Sequence, residues 1–307
     1  MATAAVAREA VFALRREIAR IEGTLPERLE LPARESGQEG LVLRRGGAPE
    51  RAAGLLRTGS AGLDTALGGG LPLASLVEIH GRQSRDAGAV AGFTLALAAL
   101  ARKRTANAPL LWVGAGEAFS EAGAPYMPGI LNRFGIEPEA MMFTRTRRLE
   151  DALWVAEEAA SLTALSVVLL EVRGPSRRLD LTATRRLHHR TQAARRPLFL
   201  LRQAGLPEPT AAPVRLVVSA AASGERETLA GRLAGSIGPP AFRVETSRSR
   251  TGIPATFMLE WNADERAFHE RHTLPDEAQD HGAVVSVSAD GAHPAGQAGT
   301  VLARGVA

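Results

Sequence analysis

Six short apolar runs divide the middle of the chain, and each is rich in branched side chains. They are Leu76–Ile79, Leu110–Val113, Val167–Val172, Leu198–Leu201, Val214–Ser219 and Phe257–Trp261. Continuous apolar runs of this length predict strands that are covered on both faces of a sheet. Helical patterns lie between the early runs, over Ala87–Arg104, Tyr126–Phe134 and Leu149–Leu165. Strands that alternate with helices predict an α/β fold with a mostly parallel sheet flanked by helices.

The first 25 residues (1–25) predict an amphipathic helix. A narrow apolar stripe, flanked by arginine and glutamate, recurs at spacings of three and four; it consists of Val11, Leu14, Ile18 and Ile21. The stripe can dock on the chain's own domain, or it can be an interaction helix that docks on another protein. The sequence leaves both interpretations open.

The rest of the chain divides into three segments by composition. Residues 26–57 are rich in Pro, Gly, Arg and Glu and have no sustained period, which predicts a linker. The core domain is expected over residues 58–274. Residues 275–307 are rich in Ala, Gly and Asp and have little to bury, which predicts a disordered tail.

Composition removes several classes of function. The 307 residues include no cysteine, which excludes disulfide scaffolds, thiolate nucleophiles and cysteine-ligated metal centres. Aromatic residues make up 4% of the chain, which argues against single-strand binding built on stacked bases. No apolar run reaches the roughly 20 residues that a membrane-spanning helix needs. We expect a cytoplasmic protein with no metal, no cofactor and no membrane partner.

The stretch Thr58–Leu100 carries the most information. It opens with TGSAGLDTALGGGLPLASLVEIHG, in which a glycine-rich turn leads into the strand Leu76–Ile79 and then to Gly81. This ordered string resembles the entry to the RecA-type ATPase core. The resemblance covers about residues 58–262, and it implies a RecA-like fold with a phosphate-binding loop after the first core strand.

The loop that follows Gly81 departs from the working phosphate-loop pattern. That pattern, G-x-x-x-x-G-K-[ST], needs a lysine for the β- and γ-phosphates and a hydroxyl for Mg²⁺. The matching positions hold Asp86, Ala87 and Gly88, so a carboxylate is present and both the ammonium group and the metal ligand are missing. Arg85 could substitute for the lysine only in a reshaped loop. We therefore predict a degenerate Walker A motif and no ATPase activity.

Two strand ends match further positions of the RecA-type site. Glu171 closes VVLLEV, where an aspartate usually supports the metal, and Gln203 closes LFLLRQ, where a polar residue senses the γ-phosphate. With the loop, these residues define a predicted vestigial nucleotide site, although Glu171 can equally be an ordinary acid at a strand end. The following segment, Ala204–Pro213, contains no arginine or lysine, which favours a plain connector over a DNA-binding loop.

Arginine is concentrated between residues 173 and 202, where nine arginines accompany one acid. Such a cluster can be a solvated face, or it can bind an acidic protein or nucleic acid. The late segment VETSRSR resembles the part of RecA whose basic residues reach a neighbouring subunit's nucleotide; its alternative is an edge strand guarded by charge. The candidate contact residues in these two segments are Arg177, Arg178, Arg185, Arg186, Arg190, Arg195, Arg196, Arg248 and Arg250.

A RecA-like core with an emptied phosphate loop, an N-terminal helix and a disordered tail resembles the ImuA family of bacterial SOS-response proteins. The resemblance implies DNA repair by damage-induced, mutagenic translesion synthesis. It implies a non-catalytic scaffold for ImuB, an inactive Y-family polymerase relative, and for an error-prone C-family polymerase. It also implies a link to RecA and association with the nucleoid after damage, while direct DNA contact stays open. The alternatives are a divergent DNA-dependent ATPase that uses Arg85 and Glu171, and a SulA-like cell-division inhibitor.

Overall fold

The computed structural model describes residues 54–271 with the exception of 117, 120–122, 177, 206, 250 and 252–253. The predicted N-terminal helix, most of the predicted linker and the predicted tail therefore lie outside the described residues. So do the candidate contact residues Val11, Leu14, Ile18, Ile21, Arg177 and Arg250.

Thirteen strands and five α-helices lie in the described part of the chain. The strands are β1 (Leu55–Leu56), β2 (Leu71–Pro72), β3 (Leu76–Gly81), β4 (Leu110–Ala115), β5 (Met141–Thr146), β6 (Val167–Arg173), β7 (Leu198–Gln203), β8 (Val214–Ala221), β9 (Arg226–Thr228), β10 (Gly231–Leu233), β11 (Ala241–Arg248), β12 (Thr256–Asn262) and β13 (Ala267–Glu270). The helices are α1 (Ala61–Ala66), α2 (Ala87–Lys103), α3 (Met127–Phe134), α4 (Leu149–Ala160) and α5 (Leu181–Ala194).

Nine of the strands form one sheet, in the order β13-β12-β11-β8-β3-β7-β6-β4-β5. The six strands from β8 to β5 are parallel, and β11, β12 and β13 continue the sheet as an antiparallel ribbon. All six apolar runs of the sequence became strands of this sheet. The predicted α/β class, a mostly parallel sheet flanked by helices, is confirmed.

Side chains of the central strands alternate between two apolar cores. In β3, Val77 and Ile79 belong to the core that contains Phe93 of α2, and Leu76 belongs to the opposite core with Leu153 of α4. Burial on both faces explains why these strands are mostly apolar, although β3 carries Glu78 and His80 at alternate positions. In the parallel register, β3, β6 and β7 end at the same edge, where Gln203 pairs with both Gly81 and Arg173. This edge carries the candidate site.

The six predicted apolar runs leave out three strands of the sheet, β5, β11 and β13. The outermost, β5, has a mixed pattern, with Met142 and Phe143 both about two-fifths exposed, because it has a neighbour on one side only. The segment VETSR forms most of β11, which pairs with β8 and β12, so its interpretation as an edge strand was wrong. The predicted helix Leu149–Leu165 ends earlier, at Ala160.

The beginning and the end of the described core meet. The Phe268 amide donates to the Thr58 carbonyl oxygen at 2.9 Å, and the Ser60 hydroxyl donates to Glu270 at 3.1 Å. Leu55 and Leu56, within the segment predicted as a linker, pair with the strand Leu71–Pro72. In the described part of the chain, no helix has both the length and the apolar character to cross a membrane.

Candidate functional site

The loop between β3 and α2 folds onto its own carboxylate. After Gly81 the chain makes one turn of 3-10 helix over Ser84–Asp86, and α2 then begins at Ala87. The Gln83 amide donates to Asp86 Oδ2 at 3.0 Å, and the Asp86 amide donates to the Gln83 carbonyl oxygen at 3.0 Å. Asp86 is only 8% exposed. The carboxylate therefore points back into the turn instead of into solvent.

Neighbouring groups hold this loop closed. A Cβ atom at Gly81 would lie 2.9 Å from the Val90 side chain and 3.1 Å from Asp86 Cβ, so only glycine fits there without movement. Arg82 Nη2 donates to Glu245 of β11 at 2.6 Å. Arg85, the predicted substitute for the missing lysine, has an exposed side chain. The loop is thus packed against its own helix and fastened to the antiparallel part of the sheet.

Glu171 and Gln203 come together beside the loop, on the α2 face of the sheet. Gln203 Nε2 donates to Glu171 Oε1 at 2.9 Å, and Trp112 Nε1 donates to Glu171 Oε2 at 3.1 Å. Arg173 Nε lies 3.8 Å from Glu171 Oε1. Glu171 is 4% exposed, and burial raises its pKa from 4.5 to about 7 against the opposing effects of Arg173, Trp112 and Gln203. We call these four residues the Glu171 cluster.

The sequence resemblance located Glu171 and Gln203 and missed Trp112. The indole matters because it occupies one carboxylate oxygen while Gln203 occupies the other, so both oxygens face protein donors. Across the described ranges, no group of three His, Cys, Asp or Glu side chains is placed to hold a metal ion. No sequence motif identified Trp112. It lies on β4, where its backbone pairs with Leu169 of the neighbouring strand β6, two residues before Glu171.

A second buried carboxylate lies on the opposite face of the same sheet. Glu78 of β3 accepts hydrogen bonds from Arg215 Nε, Thr210 Oγ1 and His80 Nε2, each at 2.8 Å. Arg202 Nη1 lies 3.8 Å from it. We call these five residues the Glu78 cluster. Burial alone would raise the pKa of Glu78, but the hydrogen bonds from His80 and Thr210 and the charges of His80 and Arg215 lower it to about 2.

The Glu78 cluster fixes the connector, residues 204–213. Arg202, which is fully buried, donates to Glu208 at 3.0 Å. Arg248 Nη1 donates to two backbone carbonyls of the connector, at 2.9 and 3.1 Å. Arg248, a candidate partner contact in the sequence, is therefore bonded to its own chain through this nitrogen. None of this was foreseen, although Glu78 and His80 interrupt an apolar run at alternate positions.

The arginine-rich segment is opposed by carboxylates from another helix. Three of its arginines form ion pairs with glutamates of α4: Arg178–Glu150, Arg186–Glu157 and Arg190–Glu158. The count of one acid in the sequence window was misleading because these glutamates lie earlier in the chain. We call this row of pairs the α4–α5 ladder, and it offsets much of the predicted positive charge.

Other arginines of the segment have local structural contacts. Arg195 takes a left-handed backbone conformation and caps α5 at its C-terminus. Arg196 donates to the Leu165 and Thr163 carbonyls at 3.0 and 3.3 Å. Arg185 is exposed on α5. The nine arginines therefore do not form one unopposed basic face.

An exposed tryptophan lies beside the ladder. Trp154 of α4 is 65% exposed, and it borders a shallow groove of about 440 Å³ that also includes Glu157 and Arg186. Exposed tryptophan is uncommon on a surface that touches only water and is enriched at protein interfaces. This groove combines an exposed aromatic side chain with charged groups of both signs.

The strand order, the helices on both faces and the loop between β3 and α2 define a RecA-like α/β core. Sequence comparison agrees with this class. The chain is 31% identical to Protein RecA of Thermus thermophilus over 134 residues, which cover 43% of this chain and 36% of that protein. It is 28% identical over 134 residues to Protein RecA of Gluconacetobacter polyoxogenes, covering 43% and 35% of the two chains.

A third relative gives the same result: Protein RecA of Synechocystis is 29% identical over 133 residues, 43% of this chain and 34% of that protein. The matched stretch thus spans about a third of the length of these curated relatives. No protein-family model matches the chain. The protein is therefore a distant, RecA-like relative of these RecA proteins over the matched stretch.

Proposed function

We propose that this chain is a non-catalytic RecA-like accessory protein of the ImuA type, acting in damage-induced translesion synthesis and mutagenesis. It works as a scaffold in the cytoplasm, and it holds an ImuB-type inactive Y-family polymerase and an error-prone C-family polymerase. The observation that carries the proposal is the loop after β3. There the buried carboxylate of Asp86 accepts a hydrogen bond from a backbone amide of the loop, and no lysine follows at the start of α2.

The loop argues against nucleotide binding on electrostatic grounds. A phosphate loop binds its ligand by backbone amides and a lysine, and the helix N-terminus adds a positive potential. Asp86 adds negative charge at the same place. Two like charges about 4 Å apart repel by roughly 4 kcal/mol at an effective dielectric of 20, so a triphosphate would meet repulsion where a working loop attracts it.

The Glu171 cluster supports the same proposal. A carboxylate that helps to hold Mg²⁺ binds it in the ionised form. Glu171 accepts a hydrogen bond on each oxygen, and its pKa of about 7 leaves a large fraction protonated near neutral pH. A residue in this state holds neighbouring strands together better than it holds a metal.

The α4–α5 ladder favours a protein partner over nucleic acid. Non-specific binding to DNA needs several cations that are free to replace counterions. Three arginines of the segment already face glutamates, and Arg202 is fully buried. An exposed tryptophan beside mixed charges suits a protein interface instead. DNA contact through this segment is therefore not part of the proposal.

A nucleotide titration tests the catalytic half of the proposal. We expect isothermal titration with ATP and Mg²⁺ to give no binding at micromolar concentrations, and we expect phosphate release at the background rate. Micromolar affinity with hydrolysis that Glu171→Gln abolishes would instead establish the divergent ATPase.

A co-purification experiment tests the scaffold half. Leu14→Asp plus Ile18→Asp places two charges on the predicted apolar stripe, and we expect it to abolish capture of the ImuB-type protein. The matched control, Ala13→Asp plus Arg16→Asp, places charges on the opposite side of the same predicted helix and should leave capture intact. Equal capture by both double variants would remove the helix from the proposal. Cell filamentation on overexpression, without capture of a polymerase, would favour the cell-division inhibitor.

A further inference from the structure

Asp86 is a buried acid whose surroundings contain no matching cation. It is more than nine-tenths buried, and none of the ion pairs in the described part of the chain includes it. A buried carboxylate is expensive unless hydrogen bonds or opposite charge compensate it. The compensation must therefore come from backbone groups near the start of α2.

The backbone supplies that compensation in two ways. The Gln83 amide donates to Asp86 Oδ2 at 3.0 Å. Asp86 is also the residue that precedes α2, a helix of 17 residues with no acid in its first turn; its side chain accepts no hydrogen bond from the amides of that helix, so only the helix dipole contributes there. Free amides and the helix dipole together make such an end favourable for negative charge. In an occupied phosphate loop, these same kinds of group surround the bound phosphate.

The loop is closely packed against its own helix and the neighbouring strands. Gly81 approaches Asp86 so closely that a Cβ atom would lie 3.1 Å from Asp86 Cβ. The Ala204 amide donates to the Gly81 carbonyl oxygen at 3.1 Å, and Arg82 is paired with Glu245. The loop is therefore held on both sides, and the negative group next to its closest contact belongs to the chain itself.

We propose that the Asp86 carboxylate is an internal substitute for a bound phosphate. It supplies the negative charge that keeps the strand–loop–helix unit folded without a ligand, and it excludes external phosphates from the loop. The inference deepens the proposed function because it explains how the fold stays intact without a nucleotide. It rests on the proposed function, in which the native loop binds no nucleotide.

Removing the carboxylate should restore binding of an external anion. We expect Asp86→Ala to have a lower thermal midpoint than the wild type in chloride. Inorganic pyrophosphate, at the same ionic strength, should raise the thermal midpoint of the variant most of the way back to that of the wild type. Its affinity for the variant should exceed its affinity for the wild type by about tenfold or more, which corresponds to about 1.4 kcal/mol.

Asp180→Ala is the matched control. Asp180 also stands at a helix N-terminus, where it accepts the Ala183 amide at 2.8 Å, but no glycine loop surrounds it. This variant should lose thermal stability and gain nothing from pyrophosphate. An equal gain in both variants would mean non-specific binding to arginine and would overturn the proposal, as would a folded Asp86→Ala that ignores pyrophosphate.

Hydrogen exchange of the wild type keeps the proposal testable if Asp86→Ala does not fold. We expect the Gln83 amide to be protected without any ligand, and we expect pyrophosphate not to change its exchange. Free exchange that slows with pyrophosphate would overturn the internal substitute. The two proposals fail differently: binding of ATP and Mg²⁺ by the wild type removes the proposed function, whereas a wild type and an Asp86→Ala that both bind no anion remove only this inference.

Discussion

Glu78 and Glu171 are both buried glutamates of the central sheet, yet their surroundings set opposite charge states. Glu78 accepts three side-chain hydrogen bonds, one of them from Arg215, and its pKa falls to about 2. Glu171 accepts two bonds from uncharged donors, with Arg173 at 3.8 Å, and its pKa rises to about 7. Burial is similar at the two sites. The number and charge of the partners decide whether a buried acid is ionised.

The comparison separates two uses of a polar group in a RecA-like sheet. On one face, the Glu78 cluster is an ionised network that fastens the connector. On the other face, the Glu171 cluster is a bridge across three neighbouring strands at the predicted vestigial site, and its carboxyl group is partly protonated near neutral pH. A buried charge with its counter-charges is structural, and removing one member leaves the others uncompensated.

The largest expected effect follows from removing the charge of Glu78. Glu78→Gln leaves Arg202 and Arg215 facing a neutral amide, and we expect the free energy of unfolding to fall by about 3–5 kcal/mol. Urea denaturation at neutral pH measures it. The matched variant, Glu171→Gln, should lose less, about 1–3 kcal/mol, because its amide oxygen can accept only one of the two hydrogen bonds and leaves one buried donor without an acceptor. Similar losses in the two variants would break the comparison.

The pH dependence of stability gives the next effect, and the two acids contribute with opposite sign. The raised pKa of Glu171 means that the folded state holds a proton that the unfolded state releases, so its contribution is complete below pH 4.5 and is lost as pH rises through about 7. That loss amounts to about 3 kcal/mol. The lowered pKa of Glu78 contributes stability above pH 4.5 that is lost as pH falls towards about 2.

Urea denaturation at a series of pH values isolates the Glu171 contribution. Between about pH 5 and pH 8, the wild type should lose stability, and Glu171→Gln should lose distinctly less, because it has no proton to release at that site. A Glu171→Gln variant with the full wild-type decline would assign the pH dependence to other groups.

The smallest effect is expected at the α4–α5 ladder, which adds an ion pair with an exposed arginine to the comparison. Arg186→Ala removes the 2.8 Å pair with Glu157, and we expect a loss of less than about 1 kcal/mol that shrinks further in high salt. Arg215→Ala is the buried counterpart and should cost several times as much, with little dependence on salt. A salt-insensitive loss at Arg186 would mean that the ladder is as structural as the Glu78 cluster.

The sequence predicted the central fold well because hydrophobic burial leaves a direct trace in it. Runs such as Val167–Leu170 are apolar without interruption since both faces of the sheet are covered. The edge strand β5 and the antiparallel β11 were harder, because their mixed patterns fit loops and strands equally. For the site, the motif spacing located Asp86, and the resemblance to the RecA-type core located Glu171 and Gln203.

The sequence could not predict which residues meet across the fold. Trp112 and Glu171 are 59 residues apart, and Glu78 and Arg215 are 137 apart. Only the strand order brings them together. The opposing charges of the α4–α5 ladder were missed for the same reason, since a sequence window counts neighbours in the chain and not neighbours in space. The sequence showed that Asp86 places a negative charge where a phosphate would bind. It did not show that the carboxylate accepts a hydrogen bond from the Gln83 amide.

The contact between Thr58 and Phe268 gives the core a useful property. The residue that enters this unit and the residue that leaves it are hydrogen-bonded neighbours, so the polypeptide path through the domain is nearly a ring. Joining the two ends by a short peptide and opening the ring in the exposed β9–β10 hairpin, at Gly231, would give a circular permutant with the same sheet.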